Sequence, residues 1–379
     1  MRRIIIVGGG VIGLSIAFEL VKKGCSVTLL EKGTLACKAS GAAAGMLGVH
    51  TETRGNPSMT SLAKESRDLF PDLAEELLHC SGVDIGLKQN GMIIPATTNR
   101  EQHLLRGEAD SPEGVSEHLR WLEERELREM EPSLSHSFIG GLSIPRDGNV
   151  LAPRLSEALS ISAASKGAVL HEGTEVESLI MEGGTILGVN TSRGRLYGDE
   201  VVVAGGAWSQ HILRRLGIVL DAVPVKGECI SLVPKEGCLN RTIVTDDLYM
   251  VPKADGTLTI GATEQEGSFN EDVSAKSVSS LLARACTMAP ELADAVWRKA
   301  WAGTRPKTSS RLPYIGRVPD VEGLSLATGH YRNGILLAPI TGVLMADLLT
   351  DKDFERGLSH EYTCQWNRDH DSASCEVGR

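Results

Sequence analysis

Six residues near the start of the chain, Gly8-Gly9-Gly10-Val11-Ile12-Gly13, constrain its fold more than any bulk property does. They stand between an apolar, β-rich run at Arg3–Val7 and a stretch with apolar residues at helical spacing, Ile12, Ile16 and Leu20. In a GxGxxG so placed, the glycines allow a tight turn, close approach of a pyrophosphate to the backbone, and close helix–strand packing. The helix N-terminus adds orphan N–H groups and the positive end of its dipole. The helical pattern over Val11–Lys23 stops before Gly24, which suits a C-cap. Ser26–Glu31 reads as a second strand, so the three pieces form a βαβ unit of about thirty residues. Glu31 closes that strand eighteen residues after Gly13, where an acid can bind the hydroxyls of an adenosine ribose. A 2′-phosphate would be repelled there, so the pattern favours FAD or NAD over NADP without choosing between them.

Three later segments repeat the theme of backbone made bare for a ligand. Ser40–Leu47 reads SGAAAGML, whose small side chains leave room for a bulky planar group or for tight helix packing. Val201–Val203 is a buried-strand pattern running into Ala204-Gly205-Gly206-Ala207-Trp208. Gly329–Pro339 reads GHYRNGILLAP and again sets a strand, a loop and a helix start in order, with Arg332 in the loop. A helix dipole aimed at the pyrimidine edge of a flavin would stabilise the charge of the reduced ring. Spacing alone equally allows Arg332 to be a solvated surface charge.

Between these segments the pattern predicts helices over Met59–His79, Glu117–Met130, Pro153–Lys166 and Val273–Cys286. It predicts strands at Gly91–Pro95, near Val169, at Glu175–Ile180, Glu200–Ala204 and Leu324–Ala327, and a closing helix over Gly334–Leu349. Several strands follow one another from Val223 to Gly261, with Asp255-Gly256 as a hairpin turn. The fold class is therefore α/β: a Rossmann-like dinucleotide domain, discontinuous in sequence, carrying an inserted antiparallel β-rich substrate domain. The expected cofactor domain comprises residues 1–85, 140–222 and 302–365. The expected substrate domain comprises 86–139 and 223–301, and 366–379 is a polar, flexible tail.

Composition excludes several classes. Only 4% of residues are aromatic and the formal charge is −10, which speaks against a base-stacking or phosphate-tracking surface and hence against nucleic acid as partner. The eight cysteines include no CxxC pair, and the closest lie twelve, nine and eleven apart (Cys25/Cys37, Cys229/Cys238, Cys364/Cys375), so no metal site and no disulfide framework is expected. A reduced, cytoplasmic setting fits such thiols. No stretch reads as long and apolar enough to span a bilayer, so no membrane partner is expected.

In order, VGGGVIG, SGAAAGMLG, VVVAGGAW, PVKGE, RPKTSSRLPYIG and GHYRNGILLAP resemble the D-amino-acid oxidase superfamily of FAD-dependent oxidoreductases, glutathione-reductase-2 type. Within it the likeness is to the bacterial glycine oxidases of thiamine biosynthesis, and it runs from Arg3 to about Leu349. The resemblance implies non-covalent FAD, held at the phosphate turn by Gly8, Gly10, Val11, Ile12 and Gly13 and at the adenosine by Glu31 and Lys32. Ala39, Ser40, Ala44, Gly45 and Met46 would lie along the pyrophosphate and isoalloxazine, and Val176 would hold the adenine side. His330, Tyr331, Arg332, Asn333, Gly334, Ile335 and Leu336 would line the pyrimidine ring. The family's carboxylate-binding arginines fall on Arg305 and Arg332, and its active-site tyrosine on Tyr249. No cysteine lies between Cys286 and Cys364, so covalent flavin attachment in that region is not expected.

Two positions depart from the family pattern. Glu264 stands where a methionine near the substrate is typical, and Asp247 stands where a histidine is found. A carboxylate at 264 is counted here as a substrate-facing residue able to alter amine preference, or else it points elsewhere.

The activity so implied is oxidative deamination of glycine, sarcosine and small D-amino acids by hydride transfer, with molecular oxygen as second substrate and peroxide as product. The family assembly is a homotetramer. Competing readings are an NAD-dependent dehydrogenase, a D-amino-acid or sarcosine oxidase, and a non-catalytic FAD-fold subunit of a complex.

Overall fold

The computed structural model describes residues 1–53 and 56–351, and the expected tail at 366–379 lies outside them. The chain divides into two units. The first comprises Met1–Cys37, Leu159–Val223 and the described part of Arg305–Arg379, and the second Lys38–Ala158 and Pro224–Thr304.

The first unit is built on a six-stranded sheet with the spatial order Tyr314–Arg317, Leu324–Thr328, Glu200–Val203, Arg3–Val7, Ser26–Leu30, Val169–His171. All neighbours are parallel except the outermost pair, Tyr314–Arg317 on Leu324–Thr328. Parallel strands are covered on both faces, which is why these read as unbroken apolar runs rather than alternating ones. Ile4 to Val7 and Val201 to Val203 are all buried, and Ile5 lies between Val201 and Thr28 in register. Each such aliphatic side chain contributes roughly 1.5–3 kcal/mol on leaving water. Helices Val11–Lys22 and Gly334–Thr350 pack against each other. There the Ser15 hydroxyl donates to the Ala338 carbonyl at 2.7 Å, and a Cβ on Gly342 would come within 2.5 Å of Ser15 Oγ.

Contrary to the sequence reading, one apolar stretch does reach bilayer length. The segment Tyr331–Thr350 is long and apolar enough to cross a membrane by length and composition, with mean hydropathy 1.5. Most of it is buried inside the first unit, as the central helix of a packed α/β layer must be.

The second unit centres on a nine-stranded sheet. Its order is Gln265–Glu266, Ala222–Val233, Leu258–Gly261, Tyr249–Pro252, Thr242–Val244, Met92–Ala96, Gly140–Ile144, Arg120–Glu123, with Val296–Thr308 also paired to Ala222–Val233. Along that order the pairs are antiparallel except Thr242–Val244 on Met92–Ala96. The hairpin at Asp255-Gly256 forms as read: Gly256 has φ +79° and the Asp255 carboxylate accepts from the Thr257 amide at 3.0 Å.

The sequence pattern misplaces several elements. The single helix expected over Met59–His79 is two, Pro57–Asp68 and Phe70–Ser81, because Pro71 cannot donate to a continuing ladder. The helix expected over Glu117–Met130 is a strand, Arg120–Glu123, followed by helix Glu124–Met130. His118, at φ +60°, breaks the pattern, and a reciprocal Glu123/Glu126 capping box starts the helix. Helix Asn99–Ala109 and strands Gly140–Ile144 and Val296–Thr308 were not anticipated.

Residues 38–85 and 140–158, expected with the cofactor domain, cluster with the second unit instead. Backbone pairing is the cause. Met46–Leu47 is antiparallel to Gly148–Asn149, the Leu151 amide donates to the Ile85 carbonyl at 2.8 Å, and that of Lys88 to Asn149 at 2.8 Å.

Candidate active site

The phosphate turn of the first unit is shaped by three glycines with different duties. Gly8 has φ +116°, and a Cβ there would lie 2.4 Å from the Ala204 carbonyl oxygen. A Cβ on Gly13 would lie 2.1 Å from the Gly8 oxygen, so this glycine lets the helix start sit on the turn. Gly10 has an ordinary φ of −76°, so backbone conformation does not demand a glycine there. The residue leaves the mouth of helix Val11–Lys22 bare, and no side chain caps that helix and no acid stands in its first turn. Such an end suits a pyrophosphate.

Glu31 is fixed by the backbone around it. One carboxylate oxygen accepts from the Gly9 amide at 2.8 Å and the other from Gly33 at 2.8 Å. A carboxylate has about four lone-pair sites, so each oxygen keeps capacity for a ribose hydroxyl. Lys32 is exposed and pairs with Glu175 at 2.8 Å, next to Val176 at the start of strand Val176–Glu182. Turn, bare helix end and anchored acid together fit the adenosine diphosphate half of FAD.

The GHYRNG segment also lies in the first unit. His330 is buried, its Nε2 is 3.1 Å from Thr341 Oγ1, and burial pushes its imidazole down to about 3. It is therefore neutral across the working pH range. Tyr331–Asn333 makes one 3₁₀ turn, with Tyr331 at φ +50°, and Gly334, Ile335 and Leu336 open helix Gly334–Thr350. Arg332 is exposed on that turn, while Asn333 is buried with its Oδ1 unpartnered. Lys307 and His330 form an antiparallel bridge. Arg305 precedes Lys307 by two residues and Arg332 follows His330 by two, so the bridge joins the stretches that carry both arginines. Arg305 Nη1 is buried and has no hydrogen-bond partner, a donor left for an acceptor the protein does not supply.

The remaining candidates belong to the second unit. Ala39, Ser40 and Ala42 form a short helix, Ala39–Ala42, whose end is tied by the Trp301 indole N–H donating to the Ala42 carbonyl at 2.9 Å. Gly45 has φ +76°, and a Cβ there would lie 2.1 Å from the Val150 oxygen. Ala44 is buried and Met46 starts strand Met46–Leu47. Tyr249 is buried, with its hydroxyl 3.4 Å from Cys229 Sγ, and a Cβ on Gly261 would come within 2.5 Å of that hydroxyl. Cys229, Gly261 and Tyr249 thus form one packed group.

Glu264 is exposed, just after Thr263, whose hydroxyl accepts from the Glu228 amide at 2.9 Å. Asp247 is exposed and pairs with Arg284 at 3.4 Å. No group of three or more His, Cys, Asp or Glu among the described residues could hold a metal ion.

The sequence reading missed Lys253. It is buried at the end of strand Tyr249–Pro252, and its ammonium donates to Ala44 O, Asn149 Oδ1 and Val150 O at 2.7, 2.9 and 2.6 Å. The signal was there: a lysine closing an unbroken apolar run, YMVP, ahead of a hairpin turn.

A parallel α/β unit with a bare phosphate turn and anchored ribose acid, joined in one chain to an antiparallel unit, defines a dinucleotide-dependent oxidoreductase of the two-unit kind. The match to the DAO family of FAD dependent oxidoreductases spans residues 3–348, and the chain belongs to that family. FAD is accordingly its cofactor. The chain is 44% identical to the glycine oxidase of Geobacillus kaustophilus over 351 residues, 92% of this chain and 93% of that protein. A crystal structure of glycine oxidase from the same organism superposes with a TM-score of 0.89 at 43% identity, over 95% of this chain and 96% of that one. It is also 35% identical to the bifunctional protein ThiO/ThiG of Trichormus variabilis, over 95% of this chain and 54% of that protein.

Proposed function

We propose that this chain is an FAD-dependent glycine oxidase that converts glycine, oxygen and water to glyoxylate, ammonia and hydrogen peroxide, and also accepts sarcosine and small D-amino acids. The observation that carries this reading is the 44% identity, over nearly the whole of both chains, to a glycine oxidase. The ThiO/ThiG likeness supports a place in thiamine biosynthesis, where the glycine imine would be used for the thiazole ring.

The chemistry that FAD would supply when bound is acceptance of a hydride from the substrate α-carbon, with oxygen as the final acceptor. Gly8, Gly10, Val11, Ile12 and Gly13 would hold its pyrophosphate, and Glu31, Lys32 and Val176 its adenosine. Ala39, Ser40, Ala44, Gly45, Met46 and the His330–Leu336 stretch would hold its ring system. Arg332 would grip the substrate carboxylate through its planar two-donor fork, with the unpartnered Nη1 of Arg305 as a further donor. Tyr249 would orient the substrate. Neutral His330 adds no charge beside the substrate. The protein's contribution is mainly to fix the α-carbon in place.

The assembly we propose is a homotetramer in the cytoplasm, a setting that suits the free cysteines of the described residues. Sizing by light scattering tests the assembly.

The activity is tested by adding glycine to purified yellow protein and measuring peroxide and glyoxylate together. Yellow protein that yields neither overturns it. Arg332→Ala should keep FAD but bind glycolate, a non-reactive carboxylate, roughly 30- to 1000-fold more weakly, the value of a charge-assisted pair. Unchanged glycolate binding would remove Arg332 from the site.

A further inference from the structure

Lys253 stands out among the buried groups that the reaction itself does not use. An ammonium has three N–H donors, and all three are taken: by the Ala44 carbonyl at 2.7 Å, Asn149 Oδ1 at 2.9 Å and the Val150 carbonyl at 2.6 Å. Among the described residues no carboxylate lies within ion-pair distance of it, so its direct compensation comes from carbonyl oxygens, with Asp255 acting only at longer range. That is a costly arrangement to keep for packing.

The bonds converge on one place. Ala44 and Gly45 share a peptide plane, and in a trans peptide the C=O and the next N–H point in opposite directions. Fixing the Ala44 oxygen therefore fixes where the Gly45 amide aims. Val150 locks the same point from the other side: its amide donates to the Gly45 carbonyl at 2.8 Å, and its own carbonyl is held by Lys253. Gly45 at φ +76° is a conformation that L side chains rarely adopt, and Lys253 Nζ would be 3.2 Å from any Cβ placed there. Asn149 completes the clasp, its Nδ2 donating to the Pro252 carbonyl at 3.4 Å. One lysine thus ties three stretches of chain into a fixed backbone at Ala44–Met46.

We propose that Lys253 is a positioning residue for the cofactor, holding the Ala44–Gly45 peptide in the orientation that receives the flavin ring. The inference rests on the reading that Ala44, Gly45 and Met46 lie along the isoalloxazine.

The test compares purified holoprotein of the parent, Lys253→Met and Lys253→Arg. FAD retention is read from the fluorescence of cofactor released on dilution, and the flavin environment from the visible spectrum. Lys253→Met should release FAD at least about tenfold more readily, because three buried acceptors lose their donor. Its visible flavin band should shift, and Lys253→Arg should restore most of both. A merely structural lysine would lower the melting temperature and leave retention per folded molecule and the band unchanged, which overturns the proposal. Should Lys253→Met fail to fold, Asn149→Ser removes one of the three acceptors with little volume. About threefold weaker retention supports the proposal and parent-like retention overturns it. A parent that binds no FAD at all would instead sink the flavin reading itself.

Discussion

The two units hold their backbone geometry by different chemistry. In the first, the phosphate turn is held by what is missing. Gly8 and Gly13 have no room for a Cβ, and the strand beside them buries the aliphatic run Ile4 to Val7. In the second, backbone geometry is held by what is buried and charged. Lys253 fixes Ala44 and Val150, and Arg67 joins Asp147 at 3.1 Å to Glu117 at 2.8 Å, all three residues being at most 5% exposed. His50, from another stretch, and Lys64, on the same helix as Arg67, approach Glu117 at 3.8 and 3.7 Å, and Arg146 adds a 3.2 Å contact. Burial pushes the Asp147 carboxyl up to about 7 even beside Arg67. A steric device tolerates no added atom, whereas an electrostatic one tolerates no lost partner.

The sharpest break of the steric device is Gly13→Val. Its branched side chain would start 2.1 Å from the Gly8 oxygen, a main-chain atom that cannot swing away. A loss of about 3 kcal/mol or more is expected, a large share of the stability of a folded protein. Urea unfolding followed by circular dichroism should show protein that is unfolded or colourless. Stable, FAD-loaded Gly13→Val would mean that the turn is not sterically fixed.

On the electrostatic side, Arg67→Met keeps the stem and removes the guanidinium. Asp147 is then left as a buried acid without its partner, while Glu117 keeps Arg146 at 3.2 Å and Lys64 at 3.7 Å, and the loss costs about 3–5 kcal/mol. The urea midpoint should fall accordingly, and Arg67→Met/Asp147→Asn should recover part of the loss because one stranded charge has gone. If the double variant is no better than the single, the network is not coupled.

This contrast also separates what the sequence revealed from what it hid. Gly8, Gly10, Gly13 and Glu31 were legible because their spacing is local: a strand, a turn and a helix within thirty-one residues. The parallel strands were legible as continuous apolar runs. Lys253 and Arg67 were not, since their partners at Ala44, Asn149, Glu117 and Asp147 lie 209, 104, 50 and 80 residues away. No periodicity marks a charge whose burial depends on such distant acceptors. The helix expected at Glu117–Met130 failed for a related reason: Trp121 and Leu122 fit either period, and pairing with Gly141 and Leu142 decided for a strand.

His330 offers a smaller effect, in the first unit. Its folded pKa of about 3 lies below that of an exposed imidazole, so between pH 6.5 and 3 the unfolded chain binds the extra proton. Its contribution is present above about 6.5 and is lost as pH falls, at a slope approaching about 1.4 kcal/mol per unit. His330→Gln can still pair with Thr341 and does not titrate. Parent and variant stabilities should therefore converge as pH drops from 7 to 4, measured by urea unfolding at each pH. Parallel curves would show that His330 charges as readily when folded.

The smallest effect is expected at Glu264, where the chain leaves its family pattern. A carboxylate facing the substrate would repel a second anion on the ligand, and at partly solvated range a repulsion of about 1.4 kcal/mol is roughly tenfold in KM. Glu264, however, is exposed, and water and salt screen a charge so placed, which weakens any such repulsion whichever way the side chain points. Glu264→Met should change KM for glycine and for N-phosphonomethyl glycine by the same factor, leaving their ratio within about twofold, under 0.5 kcal/mol. Steady-state kinetics on both substrates at low and high salt decide it. If the ratio moves tenfold in favour of the dianion, and the shift shrinks with salt, Glu264 faces the bound substrate in the working enzyme, and the methionine-to-glutamate change is a specificity determinant rather than a surface one.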